Sequence, residues 1–178
     1  MKKHLFLTGP IGCGKSTAIG AALGSRLSEC SGFLTRRYRE PYLHFALERP
    51  DGTEKEIFLD FSAGKPKVNL TAFSKADFQG KILVLDEIGG IELLNPEFTA
   101  ALEAVLRSEV PILGVIKGES SAGKLIDALG LSETYELAVS KLRQQLRNDP
   151  NTMIYECTQY DENALQLARQ WAEEYLYD

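Results

Sequence analysis

A chain of 178 residues with 44% hydrophobic content suits one domain, spanning 1–178, that can bury a substantial core. Lys and Arg number 20 against 25 Asp and Glu, a net charge of -5, so the summed field repels nucleic acid and anionic membranes, and neither is expected as a partner. Cys13, Cys30 and Cys157 are odd in number, widely spaced and without a CxxC, which argues against a disulfide framework and a zinc site and fits a reducing, cytoplasmic setting.

No stretch approaches the roughly 20 apolar residues of a membrane helix, so no targeting or spanning segment is expected. A monomer is expected. The apolar run Leu5-Phe6-Leu7 reads as a strand that enters Gly9-Pro10-Ile11-Gly12-Cys13-Gly14-Lys15-Ser16-Thr17. Gly9, Gly14, Lys15 and Ser16 satisfy the G-x-x-x-x-G-K-[ST] phosphate-loop pattern, the Walker A element. Glycines at 9, 12 and 14 admit backbone conformations barred to residues with a Cβ, so successive N–H groups can turn inward on an anion. A helix beginning near Lys15 adds its positive end to the same spot. Lys15 is expected to reach the β- and γ-phosphates, and the Ser16 hydroxyl to hold Mg²⁺. Cys13 reads as a small loop residue, with thiol sensitivity as the alternative, since a helix N-terminus lowers a thiol pKa.

The spacing of Ile19, Ala22, Leu23 and Leu27 predicts a helix over 16–27. Gly32-Phe33-Leu34-Thr35-Arg36 follows as a short strand that empties into Arg36, Arg37 and Arg39, read as a solvated basic loop in preference to a contact to phosphate or base. Strands over 42–48 and 57–61 flank Pro50-Asp51-Gly52, a turn with a mechanism, and so predict a β-hairpin. The stretch 68–73 reads as a short strand or one helical turn. Lys81-Ile82-Leu83-Val84-Leu85 is a continuous apolar run, as a parallel strand buried on both faces requires. Asn95 caps a helix with Pro96 at its first position, running to about Ser108. Ile112 to Ile116 is a further buried strand. Residues 118–124 read as a mobile loop and 125–129 as a short helix. A helix over 132–147 is expected to bury Leu137, Val139, Leu142 and Leu146. A last strand, 152–157, precedes a helix capped by Asp161 that carries Leu165, Ala168, Trp171 and Leu176.

Apolar strands alternating with helices imply an α/β chain, a mostly parallel sheet with helices on both faces and ligands at the carboxyl ends of the strands. The run Leu83-Val84-Leu85-Asp86-Glu87 puts an acid pair where such a strand leaves the core, which is the form of a Walker B element. Asp86 suits the Mg²⁺ shell, and Glu87 suits a water to be deprotonated for in-line attack on a γ-phosphate. Transfer to water is thereby favoured over transfer to a bound hydroxyl. For a cation that neutralises charge on the γ-phosphate, Lys117, Lys124, Arg143 and Arg147 are all candidates.

The phosphate loop, Gly32-Phe33-Leu34-Thr35 with Arg39 four residues on, Val68-Asn69 and Leu85-Asp86-Glu87-Ile88-Gly89-Gly90-Ile91-Glu92-Leu93 together resemble the small nucleoside-triphosphatase family of thermophilic prokaryotes and animals, known in animals as the cancer-related nucleoside triphosphatase. The resemblance runs from the N-terminus to about Ile116. It implies a three-layer P-loop fold of the additional-strand, catalytic-glutamate type, with the strand Ile112–Ile116 between the Leu5 and Ile82 strands and the β-hairpin as an extension. It also implies Mg²⁺-dependent hydrolysis of ATP, GTP and other nucleoside triphosphates to diphosphate and phosphate, with little base discrimination. Two features depart from the family pattern: Arg36 and Arg37 stand where acidic residues are usual, and the segment from about Asp127 to Pro150 is longer than the norm. The competing readings are a small-molecule or nucleotide kinase and a nucleotide-dependent switch or adaptor with slow turnover.

Overall fold

The computed structural model describes residues 1–159 and 161–176, with Ser120 as backbone only. Eight strands form one sheet: β1 (His4–Thr8), β2 (Ser31–Tyr38), β3 (His44–Glu48), β4 (Lys55–Asp60), β5 (Lys67–Val68), β6 (Leu83–Ile88), β7 (Ile112–Ile116) and β8 (Thr152–Glu156). Their order across the sheet is β5-β4-β3-β2-β6-β7-β1-β8. The pairs from β2 to β8 are parallel, while β3, β4 and β5 add antiparallel strands beyond β2. The strand over 112–116 therefore lies between β1 and β6, and the hairpin is an extension of the sheet.

Period-two alternation divides the sheet's side chains between two cores. Phe6, Leu83, Leu85, Ile112 and Ile116 face α2 (Pro96–Leu106) and α4 (Glu133–Asn148). Leu5, Leu7, Val84, Leu113 and Val115 face α1 (Lys15–Leu23) and α5 (Glu162–Leu176). The central strands are buried on both sides, and the layers are helix, sheet, helix. Trp171 is fully buried between α5 and β1 and donates its indole N–H to the Lys3 carbonyl at 3.0 Å.

Several boundaries differ from the sequence reading. The first helix stops at Leu23, because Gly24 turns to φ 55°, and a 3₁₀ segment carries the chain to Glu29. β2 runs on through Arg36 and Arg37 to Tyr38, since these residues pair with β3 (Arg36 with Ala46, Tyr38 with His44); they are strand residues and not a basic loop. The stretch 68–73 combines both alternatives, ending β5 and entering a 3₁₀ turn over Leu70–Lys75. Residues 119–124 are not a loop. They form the first turns of α3 (Glu119–Leu129), started by Ser121 and Ala122 N–H bonds to the Gly118 carbonyl, with Ala122 buried and Leu125, Ile126 and Leu129 packed against the core. The glycine and serines of that stretch suggested a break, but the buried face outweighs their weak helix propensity.

In α4 the buried residues are Tyr135, Val139, Leu142 and Leu146, at helical spacing, while Leu137 is 69% exposed. Tyr135 takes the position assigned to Leu137 by apolar content alone. The long segment between α3 and β8 is thus a layer of the core. Asn95 caps α2 as its sequence suggests: its side-chain oxygen accepts from the N–H groups of Glu97 and Phe98, and its amide donates to the Leu70 carbonyl at 2.8 Å. Asp161 caps α5 through the N–H groups of Asn163 and Ala164. No described helix is long and apolar enough to cross a membrane.

Candidate active site

The loop between β1 and α1 wraps a cavity of about 230 Å³ at the carboxyl ends of β1, β6 and β7. Two glycines show why the loop tolerates little else. A Cβ on Gly9 would stand 2.5 Å from the Cys157 carbonyl oxygen, and Gly14, which opens α1, has φ 97°. Ile11, Gly12, Gly14, Lys15, Ser16 and Thr17 line the cavity. The Lys15 ammonium lies over the loop, donating to the Gly9 and Pro10 carbonyls at 2.9 and 2.7 Å. Cys13 is buried beneath it in the apolar cluster that includes Cys157.

Glu87 reaches this cavity through a break in the sheet, and Asp86 meets it through Ser16. In a regular strand Asp86 and Glu87 would point to opposite faces. The β6–β7 register shifts between Leu85 and Ile88, and Glu87 takes φ 74°, the single positive φ among the described non-glycine residues. Asp86 keeps the α1 side that Val84 faces, and the bulge re-aims Glu87. The Asp86 carboxylate accepts the Ser16 hydroxyl at 2.7 Å, and Glu87 lines the loop cavity, its carboxylate bonded by the Lys117 ammonium.

Asp86 is 1% exposed, and burial is the main cause that raises its carboxyl to about 6, the Ser16 hydroxyl and the Arg36 guanidinium opposing it. Its Oδ2 atom is buried without a hydrogen-bond partner, 3.8 Å from the nearest nitrogen of Arg36. An orphaned carboxylate oxygen beside a hydroxyl is a pair of hard oxygen donors, suited to Mg²⁺ completed by phosphate and water. Among the described residues no cluster of three or more acidic, histidine or cysteine side chains forms a cage of its own.

The four candidate cations separate in space. Lys117 enters the cavity with Glu87. Arg143 instead bonds the Lys117 carbonyl and Glu119, Arg147 pairs with Glu119, and Lys124 lies at a neighbouring void.

Glu92 and Tyr135 are additions that sequence reasoning did not place, and Arg36, weighed there as a contact to phosphate or base, stands instead beside Asp86. Glu92 is buried and accepts the N–H groups of Gly89 and Gly90 at 2.5 and 2.7 Å, closing the turn that follows Glu87. Burial raises its carboxyl to about 7. The Tyr135 hydroxyl donates to the Gly89 carbonyl at 2.9 Å, tying the same turn to α4. A glutamate that follows a Gly-Gly pair was the available signal for Glu92; nothing in the sequence pointed Tyr135 at a turn 46 residues away.

A family model described as NTPase matches residues 4–155. The chain belongs to the NTPase family. The chain is also similar to two proteins named nucleoside-triphosphatase THEP1. The Thermofilum pendens protein is 32% identical over 143 residues, 69% of this chain and 79% of that one. The Thermotoga maritima protein is 30% identical over 131 residues, 65% and 75% of the two chains. The fold is similar to the crystal structure of THEP1 from Aquifex aeolicus, with TM-score 0.65 at 19% identity over 92% of this chain and 95% of that one. It is also similar to the solution structure of a human cancer-related nucleoside triphosphatase, with TM-score 0.61 at 26% identity over 94% of each. The NTPase match spans the phosphate loop, the β6 acid pair, Lys117 and Tyr135, so the elements that form the cavity all lie within it.

Proposed function

We propose that this NTPase-family chain hydrolyses nucleoside triphosphates, ATP and GTP among them, to the diphosphate and phosphate with Mg²⁺, and discriminates little between bases. The reading rests on one observation: the bulge at Asp86-Glu87 brings a carboxylate into the cavity already lined by Lys15 and Ser16. The loop N–H groups and Lys15 bind the phosphates, and Ser16 with Asp86 would hold Mg²⁺. Held there, the metal would supply charge neutralisation on the phosphate oxygens. Water attacks the γ-phosphorus, the bond from that phosphorus to the bridging oxygen breaks, and the Glu87 carboxylate accepts the proton of the water. Lys117 orients Glu87 and presents a positive charge on the side where the γ-phosphate gains negative charge. The residues assigned here all serve the phosphates, which is why a broad range of bases is expected.

The test is release of diphosphate and inorganic phosphate from Mg-ATP, with no acceptor added, by the purified protein and by Glu87→Gln. Equal release of both products by the wild type, falling about 10²- to 10⁴-fold in a variant that still binds ATP, is expected. Undiminished release in Glu87→Gln would overturn the role of Glu87. Absent release from a wild type that binds ATP would overturn hydrolysis.

A further inference from the structure

Next to the phosphate-loop cavity lies a larger void of about 390 Å³, enclosed by the β2–β4 extension, the turn after β6 and α3. A water molecule occupies roughly 30 Å³ of liquid, so this space is roughly a dozen times what the attacking water requires. Its size falls within the range of small-molecule pockets, and its walls follow their pattern, apolar and aromatic with a few polar groups. Phe45, Phe58, Phe61 and Phe73 supply the aromatic surface, and Leu125 of α3 faces the same space. The two voids adjoin at Ile11, Glu87, Lys117 and Ser121, which line both. Ile11, on the tip of the phosphate loop, is 68% exposed, an apolar side chain at the passage between them.

The charge is one-sided at the outer end. Arg37 and Lys124 line the void, their side chains exposed, and among the described residues neither is ion-paired to a carboxylate. The Arg37 guanidinium stands 5.8 Å from the Phe45 ring centroid. The cavity proposed above for the phosphates lies on the other side of Glu87, and the reaction proposed there uses neither these two cations nor the phenylalanine walls.

We propose that this void is a second small-molecule site, specific for an organic anion with an aromatic body, held alongside the nucleotide. Its rings lie against the phenylalanine walls, where face and edge contacts reward planar groups. Its anionic group lies between Arg37 and Lys124. The inner end of the occupant reaches Glu87, and if that residue activates water as proposed above, occupancy restricts the water and slows phosphate release.

The experiment titrates the full chain with 2-naphthoate, followed by two-dimensional NMR, with and without saturating Mg-ATPγS. Saturable shifts confined to residues around Phe45, Phe61, Ile91 and Leu125 are expected, and they persist when ATPγS is bound. The exposed pair Arg37→Glu/Lys124→Glu is expected to bind 2-naphthoate about tenfold or more weakly while binding neutral 2-naphthalenemethanol as the wild type does. No saturable shift at millimolar 2-naphthoate overturns the proposal. So does displacement by ATPγS, which would assign the void to the nucleotide, and so does a double variant that binds the anion undiminished. Phosphate release measured beside the titration separates the two readings: binding at this site with unchanged release upholds the site and refutes the placement of the attacking water.

Discussion

Glu87 carries a conformational cost, and the cost is measurable. Its φ of 74° is in the left-handed region, where a residue with a Cβ is disfavoured by about 1–2 kcal/mol. Comparing Glu87→Gly with Glu87→Ala isolates that strain, because both remove the carboxylate and both leave Lys117 without its partner. At an ordinary site glycine is the less stable of the two by about 0.5–1 kcal/mol, since the unfolded chain is freer. Relief of about 1.5 kcal/mol less about 0.7 leaves Glu87→Gly the more stable by about 0.8 kcal/mol. For a chain of this size that is a rise of about 2–3 °C in midpoint over Glu87→Ala. Thermal unfolding of both variants by circular dichroism, without nucleotide, reads it, and phosphate release is expected to be lost in both. Glu87→Ala equal to or more stable than Glu87→Gly would refute the claim that the bulge stores strain in order to present the carboxylate.

Three further outcomes follow from the surroundings of the same turn. Tyr135→Phe leaves the Gly89 carbonyl without its buried donor and is expected to destabilise by about 1–3 kcal/mol in urea unfolding, with the denaturant slope unchanged. Glu92, raised by burial to about 7 from an ordinary 4.5, binds its proton more tightly folded than unfolded. Its contribution is therefore full below about pH 4.5 and lost as pH rises through about 7, with a span of about 3 kcal/mol. Urea midpoints compared at about pH 5 and about pH 8 are expected to differ more in the wild type than in Glu92→Gln, which has no proton to lose; Lys117 and Tyr135 are the charged and titratable neighbours to be held constant. Asn95→Ala removes the α2 cap and the bond to Leu70 and is expected to cost about 1–2 kcal/mol in urea unfolding.

Much of this architecture was legible along the chain because its signals are local. Apolar runs at 83–85 and 112–116 report strands buried on two faces, a proline and glycine report a turn, and Asn95-Pro96 reports a helix start. Each of those was found where it was expected. Errors fell where a local signal competed with burial. The serines and glycines of 118–124 suggested a loop, yet Ala122 and Leu125 pack on the core and hold the helix. Leu137 fits an apolar count but not the helical phase, which Tyr135, Val139, Leu142 and Leu146 satisfy.

The parts of the candidate site divide in the same way. Gly9 to Thr17 needed no tertiary information, because a phosphate cradle is made by consecutive backbone groups whose conformations depend on which residues lack a Cβ. Asp86 and Glu87 were recognisable by their position at the end of an apolar strand. That both can serve one cavity was decided by the bulge, since strict alternation would have turned one of them away. Lys117 could be separated from Lys124, Arg143 and Arg147 only in three dimensions, because β7 inserts between β1 and β6 and brings the residue that follows it to the loop. Arg36 met Asp86 for the same reason: β2 lies beside β6 though 45 residues or more separate them. The sequence by itself determined the chemistry that runs along consecutive residues. The order of the strands decided which distant charges share one site, because that order depends on how two apolar faces are covered and not on any short motif.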